Sequence, residues 1–433
     1  MISPRPTCLI DIVNIFPPSA LTEDQKDFYQ PTAIARNGDK YELHDSLYER
    51  IKTSRGESHI LVVGHGGCGK STEFRMLTSK LRENGIPSVT IEATEDLDIN
   101  SFSYIDVLIL IAERLTQYAK EHELSVNSKV IAAITEALST KATMKYKEQE
   151  NAVEAGAEAG ISLSWCLNFV SKIAYALKFS SGQRTEVRQE IDPKIREVIN
   201  ALNGLIFAIN GSQNKIVIVI DGLEKCQSEN AKKLFQDNSS SLASIKTHLI
   251  IACPINIYRS GIANTLESYF TNPATMRMIK THQPGSVEQP DKEGIHVIRE
   301  LILKRVDGSF FEEGVLEEII KMAGGSLRNT CHLVRESAFE AHMREQDKVD
   351  MASAEKEMKK MATDLFQRIE VKYHDMLRII FGGDHNPIND PDLSALLYAG
   401  VVFEYNGEGW VDLHPLLRHY LEENQGALRE QRN

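Results

Sequence analysis

Paired cysteines are missing from this chain. Cys8, Cys68, Cys166, Cys226, Cys253 and Cys331 are scattered, and none forms a C-x-x-C pair. Neither a zinc site nor a disulfide framework is therefore signalled. Positive charge is also short. With 49 Lys and Arg against 61 Asp and Glu, the net charge is −12. That excludes a protein that coats nucleic acid through bulk electrostatics, though not a local basic patch. No uninterrupted apolar run reaches the roughly 18 residues of a membrane span. The nearest, 161–179, is broken by Asn168, Lys172 and Lys178, and reads as a buried amphipathic element. A secretory leader would need a basic and then an apolar segment at the start, where Asp11 and several prolines stand instead. Thiols set among apolar strands point to a reducing cytoplasm. No internal repeat is visible.

What is there is an ordinary globular composition, 42% hydrophobic and 25% charged. A chain of 433 residues exceeds one compact core, so two or three domains are expected.

One stretch organises the rest. Gly64-His65-Gly66-Gly67-Cys68-Gly69-Lys70-Ser71-Thr72 reads as G-x-x-x-x-G-K-[ST], the phosphate-binding loop. The apolar run His59-Ile60-Leu61-Val62-Val63 before it predicts a buried parallel strand. Phe74, Leu77 and Leu81 after it predict one face of a helix over 71–83. Glycines at 66, 67 and 69 let backbone N–H groups turn inward around a phosphate, and the helix N-terminus adds partial positive charge. Gly64, Gly66, Gly67, Cys68, Gly69, Lys70, Ser71 and Thr72 are thus the candidate nucleotide-binding residues. Lys70 would reach the β- and γ-phosphates, and the Ser71 hydroxyl would face Mg²⁺.

The second anchor is Ile216-Val217-Ile218-Val219-Ile220-Asp221. A β-branched run this continuous predicts a strand buried on both faces. Its closing acid lies at the carboxyl end, where ligands bind in open α/β sheets. This is a Walker B pattern, with Asp221 as metal residue alongside Ser71. Glu224, three residues on, is the candidate to polarise the attacking water.

Around these anchors the chain reads in order. Residues 1–57 form an N-terminal arm and linker, in which Phe28, Tyr29 and Arg36 are candidates to pack over a nucleotide base. A second strand lies over 87–94, and a helix over 101–122 with Ser101 as its cap. A long interlude, 125–212, is either a partner-binding arm or extra packing. A helix-length gap, 230–245, leads to a buried strand over 248–254, after which Asn256 is a sensor candidate. Arg259 and Arg277 are arginine-finger candidates. Residues 58–290 are thus the nucleotide-binding core. From 291 to 360 the pattern is helical, a lid, and Gly324-Gly325-Ser326-Leu327-Arg328 places an arginine at a helix start. The helix dipole gives no reason for a cation there, so Arg328 is a candidate to face the nucleotide. Residues 361–433 read as helices, a hairpin turning at Asn406-Gly407-Glu408 and a final helix opened by His414-Pro415, the order of a winged helix.

The two Walker motifs, a strand ending at Cys253, a lid with Gly-Gly-x-x-Arg and a winged-helix tail together resemble AAA+ and STAND-type ATPases. These include bacterial signalling or antiviral defence ATPases and origin-recognition-like ATPases. The resemblance implies Mg²⁺-ATP bound between core and lid, with slow hydrolysis coupled to rearrangement or ATP-dependent homo-oligomerisation. It makes Lys70, Asp221, Glu224 and Arg328 the catalytic set, Arg328 being similar to the sensor-2 arginine. Leu413-His414-Pro415 resembles the Met-His-Asp motif of STAND switches, which implies that His414 contacts ADP. The lid lacks the proline of the STAND Gly-x-Pro motif, so the subclass stays open.

Two functions follow. One is an ATP-driven switch or assembly ATPase acting on a protein partner or a separate effector. The other is a DNA-binding AAA+ initiator or loader. From 361 to 433 there are 6 Lys and Arg against 12 Asp and Glu, a net of 6 − 12 = −6. A wing that reads DNA needs cations for the phosphates, so nucleic acid is the less favoured partner. A membrane is not expected.

Overall fold

The computed structural model describes residues 5–17, 19–154, 162–211, 215–226, 228–271, 273–283, 286–383, 390–405, 410–424 and 428. Its centre is a parallel sheet in the order β2-β3-β4-β1-β5. The strands are β1 (His59–Gly64), β2 (Ser88–Glu92), β3 (Val217–Asp221), β4 (His248–Pro254) and β5 (Ala274–Met276). Every residue of β3 and β4 is buried, as near-continuous aliphatic runs require in a sheet covered on both faces.

Alternation along the strands sorts the two faces. Ile60, Val62, Val217, Val219, Ile250 and Ala252 point one way and pack with Leu47, Ile51, Phe74, Leu77 and Leu81. Those partners lie on the helices Leu43–Thr53 and Lys70–Glu83. Leu61, Val63, Ile218, Ile220, Leu249 and Ile251 point the other way into the larger core. There they meet the helices Tyr104–Glu121 and Ile195–Asn210. Burying each such side chain contributes about 1.5–3 kcal/mol, so the sheet is the rigid platform for the loops at its carboxyl edge.

The interlude between β2 and β3 is helical: Ser128–Leu138, Lys141–Glu154, Leu163–Phe179, Ser181–Ile191 and Ile195–Asn210. The amphipathic element buries Trp165, Phe169 and Ile173 in the main core. It is extra packing on the sheet's second face. Among the described residues no helix is long and apolar enough to cross a membrane.

Two local expectations are corrected. The cap of the helix Tyr104–Glu121 is Ser103, not Ser101, because Asp106 bonds back to the Ser103 N–H at 3.2 Å and completes a capping box. The gap over 230–245 is not one helix. Ser228–Lys232 passes into a π-helical turn, Lys233–Asp237, and a new helix starts at Ser239. The Ser239 hydroxyl donates to the Phe235 carbonyl at that junction, a local bond that competes with the helical ladder.

After a small antiparallel pair, β6 (His282–Gln283) and β7 (Ser286–Pro290), the chain is helical. Lys292–Leu303 is capped by Asp291, and Val315–Met322 and Leu327–Met343 follow. Met351–Gln367 runs through position 360 as one helix. The tail consists of His374–Phe381, Pro391–Ala399, the antiparallel strands β8 (Val402–Glu404) and β9 (Val411–Leu413), and Pro415–Glu423. The hairpin turn at 406–408 lies outside the described residues, as do 155–160 of the Ala/Glu-rich stretch.

Candidate nucleotide-binding site

The loop from Gly64 to Lys70 joins β1 to the helix Lys70–Glu83. Gly67 (φ +84°) and Gly69 (φ +111°) have the left-handed backbone that glycine tolerates. Lys70 is buried, and its Nζ donates to the Gly64 and His65 carbonyls, both at 2.9 Å. Burial works against the ammonium, yet Cys68, Glu224 and Asp221 together raise its pKa above the ordinary lysine value.

The two acids sit opposite. Asp221 ends β3, and its Oδ1 accepts from the Gly222 N–H at 2.8 Å. Its Oδ2 is buried without a hydrogen-bond partner, as is Glu224 Oε2. Burial first, and then the Glu224 charge, raise the Asp221 pKa, while a hydrogen bond from Ser71 lowers it. Leaving buried carboxylate oxygens unsatisfied is costly, and a cation and a water would satisfy them. Ser71 and Asp221 fit Mg²⁺, which is held by few protein ligands and completes its shell with phosphate and water. Among the described residues no group of three or more His, Cys, Asp or Glu could cage a metal without such help.

The helical segment proposed as a lid packs on the loop through Arg328. Its backbone N–H donates to the Gly67 carbonyl at 3.3 Å. A Cβ on Gly67 would lie 2.7 Å from Arg328 Cβ, and one on Gly66 3.5 Å from Nη1. Ser326 Oγ accepts from the Asn329 N–H at 3.3 Å and caps the arginine's helix. Gly325 (φ +79°) lets the lid approach the core, since a Cβ there would lie 1.7 Å from the Ile279 carbonyl oxygen. The loop, Glu224 and the helix start at Arg328 border a cavity of about 730 Å³, which Lys70, Ser71, Thr72, Glu224 and Arg328 line and which Asp221 does not.

The N-terminal arm supplies another wall. Phe28, Tyr29 and Arg36 all line the cavity. The Arg36 guanidinium is buried and donates from Nη2 to the Cys68 carbonyl at 2.6 Å, holding the loop from behind. The Tyr29 hydroxyl donates to Glu73 Oε1 at 2.7 Å. Arg305 stands over the rings of Phe16 and Phe28, at 5.4 and 5.8 Å from their centroids, a cation–π arrangement.

Other expected residues sit elsewhere. His414 is fully buried and does not line the cavity. Its Nδ1 accepts from the Leu416 N–H at 3.2 Å, capping the last helix. Its Nε2 lies 2.9 Å from the side-chain amide of Asn329, the neighbour of Arg328. Burial, followed by Arg368 and His282, pulls its pKa to about 3, so the ring is neutral. It borders the cavity's lining through Asn329 and through the Phe403 ring, whose centroid lies 5.0 Å from its own. Asn256 is buried but is not a lining residue. Arg259 and Arg277, read as fingers, are both bound to Glu404 within the chain: Arg259 Nε donates to Oε2 at 2.9 Å, and Arg277 Nε to Oε1 at 3.4 Å.

Three contributors carried no sequence signal of their own. His65 is buried, and its Nε2 accepts from the Glu404 N–H at 2.9 Å. Burial is the main cause that lowers its pKa to about 4. Glu92 lines the cavity and pairs in register with Asp221. Burial and then Asp221 raise its pKa. Arg305 is the third. Only strand register could have pointed to Glu92, since it closes β2 as Asp221 closes β3.

No curated protein matches the chain significantly. Among solved structures, the chain is similar to the ORC2 protein of Aeropyrum pernix, described as ADPNP-ADP complexes, at 11% identity and TM-score 0.40, over 96% of this chain and 98% of that one. Cdc6p of Pyrobaculum aerophilum gives 10%, 0.39, 95% and 100%. The RuvB Holliday junction branch migration motor of Thermotoga maritima gives 11%, 0.33, 88% and 93%. The model of the KAP family P-loop domain matches residues 42–280. That span holds the loop, Asp221, Glu224 and the whole parallel sheet, and it is more than half of the chain, which therefore belongs to the KAP family of P-loop NTPase domains.

Proposed function

We propose that the chain binds and slowly hydrolyses Mg²⁺-ATP in this cavity and uses the ATP and ADP states as a switch. The observation that carries the reading is the convergence on one cavity of Lys70, Glu224 and Arg328, from three separate parts of the chain, with Asp221 buried beside Lys70 and Glu224. Mg²⁺, when bound by Ser71 and Asp221, supplies positive charge to the phosphates. Lys70 exchanges the Gly64 and His65 carbonyls for phosphate oxygens. Glu224 orients and polarises the attacking water. Arg328 brings a lid charge to the phosphate end, so lid position depends on what the loop holds.

The tail then relays that state. It has the element order of a winged helix, but its net charge of −6 over 361–433 favours a protein partner or separate effector over nucleic acid. The proposal places the protein in the reducing cytoplasm, in keeping with six free cysteines of which four are buried, as a STAND-like signalling or antiviral defence ATPase that self-associates with ATP.

Molecular mass and ATPase rate, measured with ATP, with ADP and with added duplex DNA, test this. The expected result is ATP-dependent assembly and turnover indifferent to DNA. Strong stimulation by duplex DNA favours the initiator or loader reading and sinks the protein switch.

A further inference from the structure

Glu404 lies at the end of β8, 2% exposed at its side chain, and all four of its polar atoms face the core. Its N–H donates to His65 Nε2 in the phosphate loop at 2.9 Å. Its carbonyl accepts from the Met278 N–H, just beyond β5, at 3.2 Å. Its carboxylate takes Arg259, beyond β4, through both oxygens, and Arg277 through Oε1. The same tail unit touches the Walker B turn, where the Tyr398 hydroxyl donates to the Cys226 carbonyl at 3.0 Å. It also touches the β4 side again, where Ser394 Oγ donates to the Arg259 carbonyl at 3.2 Å. Phe403 and Tyr398 form part of the cavity wall.

We propose that Glu404 is the latch that holds the C-terminal unit closed over the nucleotide cavity, and a positioning residue for the phosphate loop. The chemistry is a buried carboxylate neutralised by two guanidiniums from different strand ends. Its backbone fixes His65, whose own carbonyl is one of the two that hold Lys70 Nζ. Opening the tail therefore removes a cavity wall and loosens the loop in one motion, and nucleotide leaves faster. This rests on the switch reading above.

The asymmetry of burial orders the variants. The side chain of Arg259 is 38% exposed and that of Arg277 18%, against 2% for Glu404. Removing the carboxylate leaves two cations that water can reach. Removing both cations leaves a buried, unpaired anion, the costlier outcome.

The test is the release rate of a fluorescent ADP and the small-angle scattering radius without nucleotide, for the full chain. Glu404→Gln should release ADP about tenfold faster than wild type, the loss of roughly one charge-assisted contact, and should have a larger radius. Arg259→Gln/Arg277→Gln should exceed it. The triple variant should be no worse than that pair, because both changes cut one contact. Circular dichroism matching wild type establishes that each variant is folded. Unchanged radius and release in folded variants, or strictly additive effects, overturn the latch. The radius needs no nucleotide, so a wild type that binds none would defeat the switch reading while the latch is still decided.

Discussion

Lys70 and Glu224 form a buried ion pair, with Nζ 3.7 Å from Oε1 and both side chains at 5% exposure or less. The loop lysine and the proposed water-polarising acid thus hold each other, and phosphate would come between them. Glu224→Gln should bind ATP as tightly as wild type or tighter, because Lys70 loses a competitor. Phosphate release at saturating ATP should fall about 10²–10⁴-fold. Undiminished turnover removes Glu224 from the role.

Gly67 and Gly66 are neighbours with opposite expectations. A side chain at Gly67 would need φ near +84° and would meet Arg328 Cβ at 2.7 Å. Gly67→Ala should therefore lower stability by about 1–3 kcal/mol and separate the lid from the loop. At Gly66 the nearest atom is Arg328 Nη1 at 3.5 Å, the movable end of a side chain. Gly66→Ala should leave the urea midpoint within error, so comparing the two midpoints checks the lid contact.

Buried neutral histidines make stability depend on pH. His65 and His248 have pKa values lowered to about 4, and His414 to about 3, with burial the largest cause in each. The unfolded chain protonates them near 6.5. Their contribution is complete above that pH and is lost as pH falls toward 4. Each adds a slope of about 1.4 kcal/mol per pH unit within the window. Urea melts between pH 7 and 4.5 should show falling stability, and His248→Gln should flatten the curve. His44, Glu92, Asp106 and Asp221, whose pKa values are raised, add slope of the opposite sign, so the decisive comparison is between variants: a His248→Gln curve as steep as that of the wild type would contradict the neutral, buried assignment.

The loop, Asp221 and Glu224 were legible because their chemistry is local. Fixed spacing places Lys70 and Ser71 at a helix start, and an unbroken aliphatic run can only be a buried strand ending in its acid. Arg328 was legible for a related reason, a cation where the helix dipole does not favour one. The partners of Arg259 were not legible, since Glu404 is 145 residues away and no periodicity links them. An ADP contact for His414 rests on its resemblance to the histidine of a Met-His-Asp motif, whose flanking residues Leu and Pro replace here; in the structure Pro415 starts a helix that takes the ring as a cap. The interlude showed helical periodicity, while its place on the sheet's second face depended on long-range packing.

The measurement that bears most directly on the central claim is equilibrium binding of a fluorescent ATP analogue to wild type and to Lys70→Ala, with Mg²⁺ present. The ammonium is anchored inside the loop by two carbonyls at 2.9 Å. Wild type should bind, and the variant should bind at least about 100-fold more weakly, as loss of a charge-assisted phosphate contact predicts, with an unchanged circular dichroism spectrum. Equal binding by the two proteins, or none by wild type, would contradict the account.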